Sequence, residues 1–220
     1  MRRAFDVVCA AGGLLLSSPL FALIALAIKL EDGGPVLFSQ IRVGRNFRKF
    51  RLHKFRSMVA DSERRGSPIT EPADPRITRV GAFLRKYKLD ELPQLINVLT
   101  GDMGLVAARP ELERYVEMFR PQYTLILRER PGITDPASLA YRHEEHILKP
   151  GDVETQYVKQ VLPRKLEISL EYSRRRTFLS DLRVIVMTLF GMCPVQHDSE
   201  SIQTVRGSGA RISNQDGEQR

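Results

Sequence analysis

The chain has 220 residues, enough for one domain with a sizeable core plus an appendage. Lys and Arg number 34 against 26 Asp and Glu, giving a formal charge of +8 and a pI near 9.8, a balance that suits nucleic acid, an anionic membrane surface or a phosphorylated substrate. Aromatics make up 7% with no Trp, and two cysteines (Cys9, Cys193) and four scattered histidines (His53, His143, His146, His197) complete the inventory; this argues against a single-strand stacking platform, a disulfide framework and an HExxH-type metal centre.

The first element is an apolar run. Val7 to Ile28 carries no charge and is long enough to cross hydrocarbon. No small-x-small site follows it, so it does not read as a cleaved signal. Ser17-Ser18-Pro19 interrupts its middle; proline removes a backbone hydrogen bond there, and a serine hydroxyl can recapture the freed carbonyl. Arg2 and Arg3 precede the run and Lys29 follows, so a straight span would leave one basic flank outside. A helix that bends at Ser18-Pro19 and returns keeps both flanks on one side. Charge alone leaves the kinked span and the re-entrant helix both open.

Val36 to His53 alternates apolar and polar residues around Gly44-Arg45-Asn46, the pattern of a β-hairpin. It leads into His53-Lys54-Phe55-Arg56-Ser57-Met58, where Lys54 and Arg56 could meet phosphate or simply face solvent. Ser62 to Pro75 is loop-like in composition. Thr78 can cap a short helix carrying Val80, Phe83 and Leu84. Next comes KLDELPQLINVLTGDMGLVAARP (Lys88–Pro110), in which Leu92, Leu95, Ile96 and Leu99 recur at helical spacing and Gly101 ends the run. Asp90 and Glu91 lie at the start of that helix, among Arg85, Lys86, Lys88 and Arg109. Two readings of Asp90 stay open: an ordinary N-cap, or an ionised carboxylate that serves as a nucleophile or holds a divalent metal against phosphate.

Arg109-Pro110-Glu111 is expected to begin another helix, with Pro110 at its first position, and Arg109 has the fork geometry for bidentate phosphate contact. Arg130-Pro131-Gly132-Ile133-Thr134 is a turn signal. Lys165 to Phe190 reads as predominantly helical, with Phe178, Leu182, Ile185 and Leu189 on one stripe and a basic Arg174-Arg175-Arg176 cluster suited to phosphate or lipid headgroups. After Pro194 the composition is that of a disordered tail.

In order along one chain, the Ser18-Pro19 break, PVLFSQIRVG, LHKFRSM, KLDELPQLINVLTGDMGLV, Arg109-Pro110, RPGIT and Asp181 in LSDLRVI resemble the bacterial sugar transferases known as monotopic phosphoglycosyl transferases. The resemblance runs from about Arg2 to Phe190. It implies an α+β, mostly helical fold: a re-entrant membrane helix over residues 1–30, a catalytic domain with a small β-hairpin and amphipathic helices at the membrane surface over 31–194, and a tail over 195–220. It also implies an enzyme that moves a sugar-1-phosphate from a UDP-sugar onto polyprenol phosphate and releases UMP. Asp90 would be the nucleophile carrying a covalent phosphosugar, and Glu91 with Mg²⁺ would assist, the two carboxylates holding the metal. Lys54, Arg56, Arg85, Lys88, Arg109, Pro110 and Asp181 would bind substrate. The resemblance implies the cytoplasmic face of a bacterial inner membrane as the location, downstream glycosyltransferases as further partners, and no nucleic acid.

Three departures from the family pattern stand out. Ala107-Ala108 replaces a common Gly-Pro, Asp135 replaces a Gly after RPGIT, and the 220 residues, without the large four-helix extension of some relatives, are expected to be the minimal catalytic form. The competing reading is a non-catalytic, membrane-anchored basic module that binds anionic lipid or nucleic acid. It explains the charge and the anchor, but not an acidic dyad set among cations.

Overall fold

The computed structural model describes residues 2–192 except 63–65, 67–68, 72–73, 143, 145–146 and 149–150. The expected tail, Cys193, His143, His146 and His197 lie outside the described residues. The apolar run forms one α-helix, α1 (Arg2–Asp32), which continues through Pro19 without interruption. The expected break is therefore not a gap in the helix. Ser18 Oγ donates at 2.8 Å to the carbonyl of Leu15, the acceptor that Pro19 cannot serve, and Ser17 Oγ donates to Gly13 O at 2.6 Å.

Helix α1 is docked on the rest of the chain at both ends. Near its start, Arg3 donates to the carbonyls of Leu99 and Met103, and Phe5 meets Phe178 edge-on at 5.1 Å. Ala10 is fully buried against Val98 and Met103. Towards the other end, Ile24 and Ile28 pack with Phe55 and Leu84, Glu31 accepts from the backbone N–H groups of Arg79 and Val80, and Asp32 pairs with Arg56. Yet only 11% of its most apolar stretch is buried, and Val8, Leu15, Leu16, Leu23, Leu26 and Leu30 are exposed. A core helix of a water-soluble protein would bury that surface.

Strands β1 (Leu37–Val43) and β2 (Lys49–Phe55) form the expected antiparallel hairpin, with Gln40 opposite Leu52 in register. Asn46 adopts a left-handed conformation in its loop, one that asparagine tolerates. The helix α2 (Arg79–Lys86) is capped as expected, Thr78 Oγ1 accepting from Gly81 N at 2.9 Å. Gly81 is required at its position: a Cβ there would lie 2.0 Å from the Ser57 carbonyl oxygen.

A single 3₁₀ turn at Leu89–Glu91 then leads into α3 (Gln94–Thr100). The inward face of α3 is not the apolar stripe read from the sequence. Gln94, Asn97 and Val98 are buried, while Leu99 is exposed and Leu92, Leu95 and Ile96 are half-buried. The reason is that α3 lies between two partners. Its leucines meet α1, Leu95 close to Gly13 and Leu92 in the Ile24–Phe55 cluster. Its polar residues meet β2: Asn97 Nδ2 donates to Arg51 O at 2.7 Å and its Oδ1 accepts from His53 N at 3.0 Å.

RPGIT is more than a turn, because β4 (Gly132–Thr134) pairs in parallel with β3 (Gly104–Val106). The segment after Arg109 departs from expectation too: helix α4 (Glu113–Met118) begins three residues beyond Pro110. Pro110 O instead accepts from Arg42, and Glu111 accepts from Arg42 and Tyr157. Helix α5 (Arg120–Ile126) follows, then α6 (Pro136–Ala140) and α7 (Val153–Gln156). The long C-terminal helix is two helices, α8 (Leu162–Arg175) and α9 (Phe178–Phe190), parted at Arg176-Thr177, where Thr177 forms a capping box with Ser180. The largest core cluster joins Tyr115, Tyr123 and Tyr157 with Val161, Leu162 and Leu166. Of the expected stripe, Phe178, Leu182 and Leu189 face outward while Ile185 packs against the Val106–Leu139–Val184 cluster, and the buried side of α9 is Asp181 and Val184.

Candidate active site

Lys88, in a left-handed conformation, turns the chain from α2 into the turn that carries the dyad. The two carboxylates receive opposite environments. Glu91 is held from both sides: Arg109 donates bidentately, Nη1 to Oε2 and Nη2 to Oε1 at 2.7 Å each, and Lys54 Nζ from β2 lies 3.4 Å from Oε1. Arg109 Nη1 also donates to Ile133 O at 3.1 Å, so the fork ties the dyad segment to β4. Burial pushes the Glu91 carboxyl up, but Arg109 and Lys54 outweigh it and hold it well below the usual carboxylate range.

Asp90 is buried and makes no such pair. Its Oδ1 is sealed from solvent and has no hydrogen-bond partner. Burial pushes its carboxyl above the ordinary value, against the opposing charge of Lys54 and the weaker ones of Arg85 and Lys88. Capping does not account for Asp90, because Lys88 and Pro93 occupy the cap positions and neither helical segment has a side-chain cap bond. A carboxylate oxygen left sealed and without a hydrogen bond costs free energy on the order of 1–3 kcal/mol, so Asp90 is not placed there for stability.

Of the expected site residues, the structure brings Asp90, Glu91, Lys54 and Arg109 together, with Arg85 and Lys88 close enough to act on Asp90 electrostatically. Burial depresses the Lys54 ammonium. Arg85 spends one N–H on Thr70 Oγ1 at 2.8 Å. Arg109, read as a phosphate clamp, has its fork filled by Glu91. Arg56 is buried against Asp32 and Gly34 at the C-terminal end of α1. Asp181 belongs to another cluster: Tyr172 OH and Arg176 Nε both donate to its Oδ1 at 2.7 Å, with Arg2 at 3.6 Å from Oδ2. It fastens the start of α1 to the α8–α9 junction. Pro110 contributes a backbone carbonyl to Arg42, away from the dyad's ion pairs.

Sequence reading missed Gln94 and Asn97. Both are polar residues inside an apolar run, three apart and hence on one helix face, which was the available signal. It also missed the buried network in which Lys165 pairs with Glu144 at 2.9 Å and Tyr157 OH donates to Glu111 at 2.6 Å. These residues are scattered from position 111 to 165, and no local pattern joins them.

Among the described residues no cluster of three or more His, Cys, Asp or Glu could cage a metal ion. Magnesium does not need such a cage, since it is commonly held by one or two carboxylates plus substrate phosphates. The Asp90 carboxylate, which no cation hydrogen-bonds, fits that donor chemistry through its other oxygen. Glu91, with both oxygens already engaged by cations, fits it less well.

A model of the bacterial sugar transferase family matches residues 1–194. A UDP-glucose:undecaprenyl-phosphate glucose-1-phosphate transferase of Escherichia coli is 38% identical over 86% of this chain and 39% of its own length. A UDP-N-acetylgalactosamine-undecaprenyl-phosphate N-acetylgalactosaminephosphotransferase of Aeromonas hydrophila is 44% identical over 64% of this chain and 34% of its own. The exopolysaccharide production protein ExoY of Rhizobium meliloti is 37% identical over 72% of this chain and 76% of its own. The chain thus spans well under half the length of the first two and most of the third. A family match that takes in α1, the hairpin, the dyad and both C-terminal helices covers every element that positions the site, and the chain belongs to the bacterial sugar transferase family.

Proposed function

We propose that the chain transfers a sugar-1-phosphate from a UDP-sugar to undecaprenyl or a similar polyprenyl phosphate, through a covalent phosphosugar on Asp90. The observation that carries this reading is an Asp90 carboxylate that no cation hydrogen-bonds, one oxygen of it buried without a partner, beside a Glu91 neutralised by Arg109 and Lys54. The names of the relatives, which act on undecaprenyl phosphate, support the acceptor and the reaction class.

In the first step one Asp90 oxygen attacks the phosphorus bearing the sugar. The bond to the bridging oxygen breaks, and UMP leaves with that electron pair. In the second, an oxygen of polyprenyl phosphate attacks the same phosphorus, and the P–O bond to Asp90 returns its electrons to the carboxylate. No net proton transfer is needed, so the protein's task is placement and charge neutralisation. Lys54, Arg85 and Lys88 offset the repulsion between a carboxylate and an anionic diphosphate. The Glu91–Arg109 pair fixes the turn carrying Asp90 against β4. Asp90, with the substrate diphosphate, would hold Mg²⁺, which supplies further neutralisation of phosphate charge.

The exposed apolar side of α1 supports association with a membrane, where the acceptor resides. Because both ends of α1 dock on the same domain, the reading places that domain and both helix ends on one side of the bilayer, the cytoplasmic one by the positive flanks. The experiment is incubation with a panel of UDP-sugars without acceptor. UMP release and a phosphosugar mass on the Asp90 peptide are expected, with neither from Asp90→Asn. Turnover by Asp90→Asn with no adduct in rapid-quench samples of the wild type would replace this mechanism with direct attack by polyprenyl phosphate.

A further inference from the structure

Among the described residues the buried side-chain atoms without a hydrogen-bond partner are Asp90 Oδ1, guanidinium nitrogens of Arg42 and Arg56, and both ends of the Gln94 carboxamide, so Gln94 alone has its whole polar group unsatisfied. It is fully buried, and both Oε1 and Nε2 lack hydrogen bonds. It stands four residues after Asp90 on a backbone that stays helical through Leu92 and Pro93. Side chains at that separation lie over one another, and Gln with Asp is a recognised hydrogen-bonding pair there. One turn further along the same inward face, Asn97 has both ends of its carboxamide satisfied by β2. The fold therefore satisfies one buried carboxamide on this face and leaves the other unsatisfied, four residues from an Asp90 that also has an unsatisfied oxygen.

We propose that Gln94 is a positioning residue for the transfer step, its Nε2 donating to Asp90 Oδ1 when the other carboxylate oxygen is bonded to phosphorus. This rests on the covalent reading above. In the acyl-phosphate, Oδ1 is a carbonyl oxygen whose orientation sets the line of attack on phosphorus. As polyprenyl phosphate attacks and the P–O bond breaks, negative charge returns to both carboxylate oxygens. A neutral donor already in place stabilises that charge without adding a cation that would compete with Lys54. A carboxylate's lone pairs leave room for this bond beside a metal ion.

The test uses full-length protein in detergent or lipid nanodiscs with UDP-sugar and polyprenyl phosphate, and four proteins: wild type, Asp90→Asn, Gln94→Met and Gln94→Glu. Gln94→Met keeps the shape and removes the orphaned amide. Its thermal unfolding midpoint should equal or exceed that of the wild type, while kcat falls about 10²-fold, the scale of one lost oxyanion donor, with KM for UDP-sugar little changed. The phosphosugar adduct should outlive that of the wild type, because its breakdown is the step slowed. Gln94→Glu, which sets an anion beside the departing carboxylate, should lose more activity than Gln94→Met. Wild-type kcat in Gln94→Met, or Gln94→Glu more active than Gln94→Met, overturns the inference. So does a lowered midpoint with unchanged kcat per folded molecule, the mark of a purely structural residue. Activity in Asp90→Asn would instead sink the covalent reading, so the two failures are distinguishable.

Discussion

Removing the Arg109 fork tests whether the dyad turn is held by a buried ion pair or merely decorated by one. Arg109→Met keeps the aliphatic bulk and deletes two bonds of 2.7 Å to Glu91 and one of 3.1 Å to Ile133 O. Breaking a buried pair costs about 3–5 kcal/mol. Two features reduce that here: the Arg109 side chain is 28% exposed, and Lys54 stays 3.4 Å from Glu91 to neutralise it. The expected loss is about 2–3 kcal/mol, which for a domain of this size lowers the unfolding midpoint by about 4–12 °C. Glu91→Gln and the double variant complete a cycle whose coupling should be about 1.5–2.5 kcal/mol, read by circular dichroism at constant detergent. Glu91 is held below its ordinary value of 4.5, so the pair's contribution is fully present above that pH and is lost as pH falls through the lower folded value. A coupling under about 0.5 kcal/mol, the size of a solvent-exposed pair, would refute the placement of this pair as the anchor of the turn.

Asp90→Asn should abolish turnover and yet raise the unfolding midpoint at pH 7, because burial pushes the wild-type carboxyl up and its charged form is costly there. The gain should shrink as pH falls and the wild-type carboxyl takes up its proton; a variant less stable than wild type at pH 7 would contradict the unpaired state of Asp90. Gly81→Ala should destabilise by about 1–3 kcal/mol or prevent folding, since its Cβ would meet Ser57 backbone, and a wild-type midpoint would show that α2 stands further from that loop. Single cysteines replacing Arg3 and Gly33 should both resist a membrane-impermeant thiol reagent in intact cells, given that both ends of α1 dock on one domain. Labelling of one and protection of the other would establish a span.

Much of this was legible in the sequence because it is local. The hairpin follows from alternation, α2 from Thr78 and its apolar spacing, and the role of Ser18 from the carbonyl that Pro19 must abandon. The dyad and its cations could be named for the same reason, since four of the six lie within Arg85–Glu91. What failed depended on partners distant in the chain. The β3–β4 pairing joins residues 104–106 to 132–134, and nothing in either triplet announces the other. The inward face of α3 was misjudged because periodicity assumes one core-facing side, whereas α3 is covered by α1 on its leucines and by β2 on its polar residues. Arg109 was rightly drawn to an anion, but which anion, Glu91 or a phosphate, is a question of tertiary distance.

That division bears on how the site holds its chemistry. A neighbouring pair of carboxylates on one short turn would repel, and the fold answers by treating them unequally. Within the dyad, the hydrogen bonds from Arg109 and Lys54 go to Glu91, which becomes a structural post, while Asp90 receives charge only through space. On the proposed mechanism a carboxylate not tied up by cation hydrogen bonds is left to react with phosphorus, and burial, which pushes its pKa up, makes it the more basic. The same cations would silence Asp90 if they bonded to it directly. Gln94, whose carboxamide is unsatisfied at both ends, precedes an Asn97 that is fully bonded to β2, so along α3 the polar deficit lies at the end that adjoins Asp90 and is absent one helical turn away.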